Sequence, residues 1–464
     1  MMLKHTALAA ALFAAGALAK CENVIVPSYQ SPTLASGWQG QLVANGFKKP
    51  RTLHFDTEGS LIILDAGVGV RRVKFTDNGD TCLEVAENKL LIDNKDLNHG
   101  LAFSGDGKTL YASTEESVFA YTYDAKAGTV ADASSPRTVI DGMSSNDHLT
   151  RTLLMSQKSP GFLAVSRGSD ENFDVDAEDP TTGVSQIKIF DLNKLASGAK
   201  YTFNSDGRRL GWGLRNSVGI AEDPDSGRIY SVETSVDEVT RNGQNIEKNN
   251  PGEELNMHSK ATETAEGGNY GYPYCYPIWD TNVPDNEGLQ TGDLFSTNET
   301  HITDEKCAED TVAPRLVFPA HTSPLNLLFN SDGSTLYISF RGSFDPTNPV
   351  GYMVSTVSFT NGQPTARLSA TDALTPIFTN PSLSACPANC FRPVGLAFDS
   401  QGRLWVSADS TGEIYVLKKL ADAAAPGVFV SKPDESGAGT PGAFGLQGVL
   451  VGGAAFAVAA LIAL

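Results

Sequence analysis

The sequence carries little positive charge for its length. Its 464 residues include 35 Lys and Arg against 54 Asp and Glu, which gives a formal net charge of −19. A surface this acidic repels phosphate backbones and excludes nucleic acid as a partner. Any anionic ligand must therefore bind where Arg or Lys side chains are locally concentrated.

Long apolar runs are absent from the middle of the chain and occur only near its two ends. The run ending in Ala17–Ala19 predicts a secretory signal peptide over residues 1–19. Residues 426–443 are interpreted as a Gly-, Pro- and Ser-rich linker with a GPI attachment site near Ser436–Ala438, and 444–464 as its hydrophobic C-terminal signal. A tail-anchor helix is the alternative. We expect a secreted, extracellular protein that meets a membrane only through a lipid anchor.

Cysteine is scarce, and its pattern excludes the commonest metal site. The chain has six cysteines, without a CxxC motif or a cluster of histidines, which argues against structural zinc. An even number behind a signal peptide predicts three disulfides. Proximity along the chain favours Cys21–Cys82, Cys275–Cys307 and Cys386–Cys390. The triplet at 298–300 is an N-glycosylation acceptor and predicts an exposed loop.

A phrase of two apolar strands joined by a Gly-containing turn recurs along the chain. The six copies cover residues 53–64, 101–113, 153–166, 218–232, 327–339 and 396–407. Each copy predicts a hairpin. Most copies start about fifty to seventy residues apart, which fits one four-stranded blade each. We therefore predict an all-β fold, a six-bladed β-propeller over residues 20–425 with long loops over the central mouth, rather than a β-sandwich.

Two polar segments could carry chemistry. His148 directly follows Asp147, and an imidazole beside a carboxylate can act as a general base near neutral pH. A loop histidine that caps a turn is the alternative. The segment Glu233–Glu238 offers carboxylates and free backbone carbonyls, the hard oxygen ligands that Ca²⁺ prefers, although it lacks EF-hand spacing.

Arginines stand at the start of three predicted inner strands. They are Arg51, Arg215 with its neighbour Asn216, and Arg392. Such positions point toward the mouth of a propeller channel, so the three would form one basic pocket in an acidic protein. A pocket of this kind suits a polyanionic or flat conjugated ligand. For each arginine alone, pairing with an acidic neighbour is the alternative.

Eight segments of the chain together indicate a family. They are Leu97–Phe103, His148–Arg151, Ser166–Ser169, Leu214–Gly219, Asn250–Asn256, Asn269–Pro273, Ala320–Leu325 and Arg392–Gly395. In this order they resemble the fungal pyranose dehydrogenases that depend on pyrroloquinoline quinone (PQQ). They are also similar, more distantly, to the bacterial soluble quinoprotein glucose dehydrogenases.

The resemblance implies a PQQ-binding propeller with Ca²⁺ in its mouth. His148 would take the proton of the anomeric hydroxyl of a sugar while hydride passes to the quinone, giving a lactone. The backbone carbonyls of Ser235 and Val236 would hold Ca²⁺, which would polarise the quinone carbonyl. The PQQ carboxylates and ring plane would be held by Arg51, Arg215, Asn216 and Arg392.

One segment departs from the family pattern. Arg341 stands where relatives have a histidine, and Pro346 lies near an expected basic residue.

The electron acceptor would be separate: a cytochrome domain protein, a copper oxygenase or a quinone. Two other functions remain open, a calcium-dependent lactonase-type hydrolase on a six-bladed propeller and a non-catalytic cell-wall binding propeller.

Overall fold

The computed structural model describes residues 21, 23–297 and 302–430. Strands dominate this part of the chain. The helices found there are short: one α-helix, Asp304–Asp310, and the 3₁₀ turns Val175–Glu178 and Leu192–Lys194. None of them is long and apolar enough to span a membrane.

Six four-stranded antiparallel sheets follow one another around a ring, and we number them as blades I–VI by their inner strands. Blade I comprises Pro50–Phe55, Leu61–Asp65, Gly69–Asp77 and Leu83–Asp93. Blade II comprises Leu101–Phe103, Thr109–Ser113, Val118–Asp124 and Arg137–Asp141. Blade III comprises Leu153–Met155, Phe162–Arg167, Gln186–Asp191 and Arg208–Trp212.

The other three blades have the same order from the inner to the outer strand. Blade IV comprises Ser217–Glu222, Arg228–Glu233, Glu253–Lys260 and Leu316–Phe318. Blade V comprises Pro324–Phe329, Thr335–Phe340, Met353–Thr360 and Thr375–Thr379. Blade VI comprises Pro393–Phe398, Leu404–Ala408, Glu413–Lys419 and Trp38–Ala44.

Shorter strands extend or connect these sheets. They are Thr33–Leu34, Thr129–Val130, Tyr201–Thr202, Thr240–Arg241, Gln244–Asn245, Cys275–Pro277, Leu294–Ser296, Gln363–Pro364 and Val428–Phe429. One two-stranded ribbon lies between the second and third strands of blade IV, and another lies between its third and fourth strands. The predicted long loops over the mouth are found there.

Blade VI closes the ring. Its outer strand, Trp38–Ala44, comes from the beginning of the described chain and pairs with Glu413–Lys419 near its end. Joining the two ends in one sheet leaves no open gap between the last blade and the first. The six-bladed propeller predicted from the repeat is confirmed.

The inner strands run in the same direction around the axis. Thr52 Oγ1 donates to the His99 carbonyl (2.6 Å), and His54 Nε2 lies 2.8 Å from the Leu101 carbonyl. Both pairs have the same offset along the chain, which is the register of two parallel neighbours. The beginnings of all inner strands therefore lie on one face, and the repeated Gly-containing turns lie on the other.

A serine that recurs in the repeat ties neighbouring blades together. Ser113 Oγ accepts from Gly100 N–H in its own blade (3.0 Å) and donates to the Arg151 carbonyl ahead of blade III (2.7 Å). At the closing seam, Ser407 Oγ donates to the Arg51 carbonyl (3.0 Å). Apolar side chains from adjacent blades fill the space between them, as between blades VI and I.

The described residues confirm the predicted disulfides. Cys21–Cys82, Cys275–Cys307 and Cys386–Cys390 are all bonded. The predicted signal peptide, the glycosylation triplet at 298–300, the lipid attachment site near Ser436–Ala438 and the hydrophobic segment 444–464 lie outside the described residues.

Candidate active site

The candidate site lies on the face where the inner strands begin. Segments that precede these strands build it, together with the loops that join the second and third strands of each blade. This face holds all the site residues predicted from the sequence, namely Arg51, His148, Arg215, Asn216, Ser235, Val236 and Arg392.

His148 lies in the loop between blades II and III, with its ring largely buried. Its Nδ1 is 3.0 Å from the Ser169 carbonyl and 2.9 Å from Ser169 Oγ. Because a carbonyl can only accept, Nδ1 carries the proton, and Nε2 of the neutral ring is left as an acceptor. Burial, followed by the positive charge of Arg215, lowers the pKa of His148 to about 4. The imidazole is therefore neutral at neutral pH.

Gly168 lets His148 approach Arg215 and Asn216, which directly precede the inner strand of blade IV. A Cβ at this position would lie 2.7 Å from His148 Cβ, 2.9 Å from Asn216 Oδ1 and 3.2 Å from the Arg215 carbonyl. Any larger residue would push these groups apart. The small residue in the predicted Ser166–Ser169 segment therefore allows the candidate base to lie beside Arg215 and Asn216.

Arg215 is buried and bonded to neutral oxygens. Its Nη1 donates to the Ser235 carbonyl (2.7 Å), and Nε and Nη2 donate to the carbonyl and Oδ1 of Asn172 (3.2 and 2.8 Å). Asn216 Nδ2 donates to Thr234 Oγ1 (3.1 Å). No carboxylate lies within ion-pair distance of Arg215 among the described residues, so its charge is available to a ligand.

Arg51 and Arg341 share a single buried carboxylate. Asp409 Oδ2 lies 2.6 Å from Arg51 Nη1, and Asp409 Oδ1 lies 2.9 Å from Arg341 Nε. Burial by itself would raise the pKa of Asp409, but Arg51 and Arg341 outweigh it and hold the pKa below the ordinary value. Two guanidinium groups thus face one anion, which leaves positive charge uncompensated.

Arg392 adds a third cation to this group. Its Nη2 donates to the Gly342 carbonyl (2.7 Å), and its guanidinium lies over the rings of Phe344 (4.6 Å) and Tyr352 (5.4 Å). Burial, followed by the charge of Arg341, lowers the pKa of Arg392 to about 10. It remains protonated at neutral pH. We call Arg51, Arg341, Arg392 and Asp409 the arginine cluster.

His99 lies between Arg51 of the arginine cluster and the central cavity of the propeller. Its Nδ1 accepts from Arg51 Nε (3.2 Å), and burial followed by the charge of Arg51 holds the pKa of His99 well below its ordinary value. Beneath it a cavity of about 490 Å³ occupies the opposite half of the channel, lined by inner-strand residues such as Phe55 and Phe103. His99 therefore separates the mouth from the lower cavity.

The loop predicted to bind calcium lies beside Arg215. The Val236 side chain is buried, and no hydrogen bond to the Val236 carbonyl is found in the described part of the chain. The Ser235 carbonyl accepts from Arg215, and Glu253 Oε2 accepts from the Ser235 N–H (2.7 Å). The Val236 carbonyl, which has no partner, and the neighbouring Ser235 carbonyl are oxygen donors of the kind that Ca²⁺ takes.

A second histidine at the mouth, His321, is protonated at neutral pH, whereas His148 is neutral. His321 Nδ1 lies 3.2 Å from Asp237 Oδ1, and this hydrogen bond raises the pKa of His321 to about 9. His321 is thus protonated at neutral pH and cannot accept a proton, whereas His148 can. The donor atoms of Asp237, Glu247 and His321 also lie within 4.8 Å of one another, close enough to hold a metal ion.

The structure groups the predicted residues into two halves of one mouth. His148, Arg215, Asn216 and the Ser235 loop form one half, and Arg51 and Arg392 form the other. Sequence reasoning missed Asp409, because nothing in a repeat pattern marks a carboxylate between two blades. Arg341, predicted only as a departure from the family pattern, lies at the centre of the arginine cluster.

These features define a class of protein: a six-bladed propeller with a cation-rich mouth and a neutral histidine beside it. The TrAA12-like family model matches residues 32–420. The chain therefore belongs to the TrAA12-like family. The resemblance to the fungal PQQ-dependent pyranose dehydrogenases is confirmed.

Two curated relatives are similar over most of this chain. A PQQ-dependent sugar dehydrogenase of Hypocrea jecorina is 48% identical over 404 residues, which cover 86% of this chain and 92% of that protein. A PQQ-dependent pyranose dehydrogenase of Coprinopsis cinerea is 35% identical over 419 residues, covering 86% of this chain but only 56% of that longer protein.

Two solved structures are also similar to this chain over most of its length. The calcium structure of the Trichoderma reesei family AA12 carbohydrate-active enzyme has a TM-score of 0.84 and 49% identity, and 86% of this chain and 99% of that one are covered. The holo form of the PQQ domain of the C. cinerea pyranose dehydrogenase has a TM-score of 0.80 and 34% identity, with 86% and 99% covered.

Proposed function

We propose that this protein is a PQQ- and calcium-dependent sugar dehydrogenase that oxidises a pyranose at its anomeric carbon. The observation that carries the proposal is the surplus of guanidinium groups around Asp409 in a protein with a net charge of −19. Such a surplus suits a flat tricarboxylate such as PQQ. The names of the relatives, which are similar over most of this chain, support the same cofactor.

The arginine cluster and Arg215 would hold the cofactor from two sides. Arg51, Arg341 and Arg392 would bind carboxylates, while Arg215 and Asn216 would contact the ring or a further carboxylate. The carbonyls of Ser235 and Val236 would bind Ca²⁺. When bound, PQQ supplies a two-electron acceptor for the hydride of the sugar.

His148 is the proposed general base. Its neutral Nε2 would accept the proton of the anomeric hydroxyl as the hydride leaves the same carbon, so that the sugar loses two electrons and two hydrogens and becomes a lactone. Ser169 would hold the ring in this orientation through Nδ1. Arg215, close to the ring, would disfavour the protonated imidazole and keep the base in its active form.

The remaining expectations are also proposals. Three disulfides among the described residues support an oxidising, extracellular environment. We propose a separate electron acceptor, a cytochrome domain protein, a copper oxygenase or a quinone, and contact with a membrane only through a lipid anchor.

The proposal is tested with purified protein, PQQ, Ca²⁺, an artificial dye and a panel of pyranoses. Sugar-dependent dye reduction that needs both PQQ and Ca²⁺, and that stops with a chelator and returns with added Ca²⁺, is the expected result. Ester or lactone cleavage without PQQ would instead support a hydrolase. The absence of both activities, together with no PQQ binding, would leave a binding propeller and end the proposal.

A further inference from the structure

Glu253 connects two loops that come from different blades. It is the first residue of the third strand of blade IV, and its side chain is only 3% exposed. One carboxylate oxygen, Oε2, accepts from the Ser235 N–H (2.7 Å), and the other, Oε1, accepts from the Ser323 N–H (3.0 Å). Both oxygens are thus used to hold backbone rather than side chains.

On the blade IV side, Glu253 completes a clamp around the loop predicted to bind calcium. The Ser235 N–H is bound by Glu253 and the Ser235 carbonyl by Arg215. The next side chain, Val236, is buried among Val239 and Tyr272. The peptide planes on both sides of Ser235 are therefore fixed. The next plane, which carries the Val236 carbonyl, is held by the Asp237 N–H, which donates to Asn172 Oδ1 (3.1 Å).

On the blade V side, Glu253 holds the segment whose backbone supports Arg341 and Gly342 of the neighbouring strand end. Ser323 has a left-handed backbone conformation (φ 51°). Its carbonyl accepts from the Arg341 N–H (2.9 Å), and the Thr322 carbonyl accepts from the Gly342 N–H (3.0 Å). A shift of Ser323 would therefore move the backbone of Arg341 and, through the Arg341 and Gly342 carbonyls, the guanidinium of Arg392.

We propose that Glu253 is a positioning residue that fixes the Ser235–Val236 carbonyls for calcium and holds the arginine cluster in register with them. This inference rests on the proposed function, because it assigns calcium to those carbonyls. Glu253 contacts neither the sugar nor the reacting atoms in this scheme. Its effect passes through the two backbone N–H groups.

The neighbouring residue provides a matched control. Glu254 is also almost fully buried, at 5% exposure, but its side chain leaves the opposite face of the strand and accepts from Asn256 Nδ2 (2.8 Å). In the described part of the chain, its side chain forms no hydrogen bond to either loop. Glu253→Gln and Glu254→Gln therefore make the same chemical change at the same depth, and only the first replaces an acceptor oxygen that holds a loop with an NH₂ group.

The experiment measures calcium affinity by isothermal titration and by the calcium-dependent shift of the unfolding temperature, for full-length protein with PQQ present. Glu253→Gln should weaken calcium binding at least tenfold, while Glu254→Gln stays within about twofold of the wild type. At saturating calcium the Glu253→Gln variant should regain most of the wild-type kcat, which a group acting in the chemistry would not allow. Glu253→Asp, which keeps the charge but is too short to reach both N–H groups, should be intermediate and serves if Glu253→Gln does not fold.

Equal calcium affinities for Glu253→Gln and the wild type, or equal losses in Glu253→Gln and Glu254→Gln, would overturn the positioning role. Wild-type protein that binds neither calcium nor PQQ would be a different result, because the proposed function itself would then be wrong. The wild-type measurement alone therefore distinguishes a failure of the positioning role from a failure of the proposed function.

Discussion

Arg51 and Asp409 are 358 positions apart in the chain, and their side chains are joined by an ion pair of 2.6 Å. Arg51 is the second residue of the inner strand of blade I, and Asp409 follows the second strand of blade VI. The pair therefore spans the seam at which the ring closes. It also places a carboxylate in the arginine cluster, so that one contact belongs both to the interface between blades VI and I and to the site.

Asp409→Asn should lower the free energy of unfolding more than the loss of an exposed ion pair does. The change leaves Arg51 and Arg341 without an anion in a buried site, and the loss of one partner of such a pair costs about 3–5 kcal/mol. Urea unfolding measures the effect. Asp77→Asn, which removes the more exposed partner of Arg403, is the control and should cost about 1 kcal/mol or less. PQQ should recover part of the Asp409→Asn loss, and equal losses in the two variants would contradict the buried role.

His148→Ala should reduce turnover by about 10²–10⁴-fold while PQQ affinity stays within a few-fold, because the variant loses the acceptor for the sugar proton. Dye reduction and PQQ titration separate the two effects. Ser169→Ala is the matched control, since the Ser169 carbonyl still orients Nδ1 after the hydroxyl is lost; a loss smaller than tenfold is expected. Near wild-type turnover in His148→Ala would remove the assignment of the base.

The pH dependence of kcat/KM should reveal the lowered pKa of His148. A protonated imidazole cannot accept a proton, so the rate should be lost as the pH falls through about 4 rather than through the ordinary histidine range near 6.5. Steady-state rates between pH 3.5 and 8 provide the measurement, with protein returned to pH 6 as the control for denaturation. An acid limb centred near about 6.5 would contradict the burial of this ring.

The free energy of unfolding should fall as the pH rises toward 8, partly because of Glu254. Burial raises the pKa of Glu254 to about 8 from 4.5, so the folded protein holds a proton that the unfolded chain has released. Stability is greatest below the unfolded value and is lost as the pH rises, by up to about 1.4 kcal/mol per pH unit for one proton. Glu254→Gln should flatten the profile between pH 6.5 and 8 in urea titrations. The exposed Glu58→Gln should leave the slope unchanged, and an unchanged slope in both variants would contradict the shift.

Much of the fold could be predicted from local sequence. Each hairpin of the repeat is encoded within about a dozen residues by alternating apolar positions and a turn glycine, so blades could be counted without knowing how they meet. The disulfides were also predictable, because each links cysteines that are neighbours among the six in the chain.

The candidate site was predictable only where its residues adjoin a repeat. Arg51, Arg215 and Arg392 stand at the start of inner strands, so the repeat itself indicates where they point. Asp409 and Glu253 do not lie at the start of an inner strand, so the repeat does not indicate where their side chains point. Their roles depend on which blade lies next to which. Ring closure brings Asp409 to Arg51, 358 positions away, and the packing of blade V beside blade IV brings Ser323 to Glu253, 70 positions away.

The sequence by itself determined the number of blades, the bonded cysteines and the presence of several arginines at one mouth, because these follow from short-range periodicity and charge. The tertiary structure alone decided that Asp409 leaves the arginine cluster with surplus positive charge, and that His148 is neutral while His321 is protonated. Charge state depends on burial and on partners brought in from other blades, and neither can be read from neighbours along the chain.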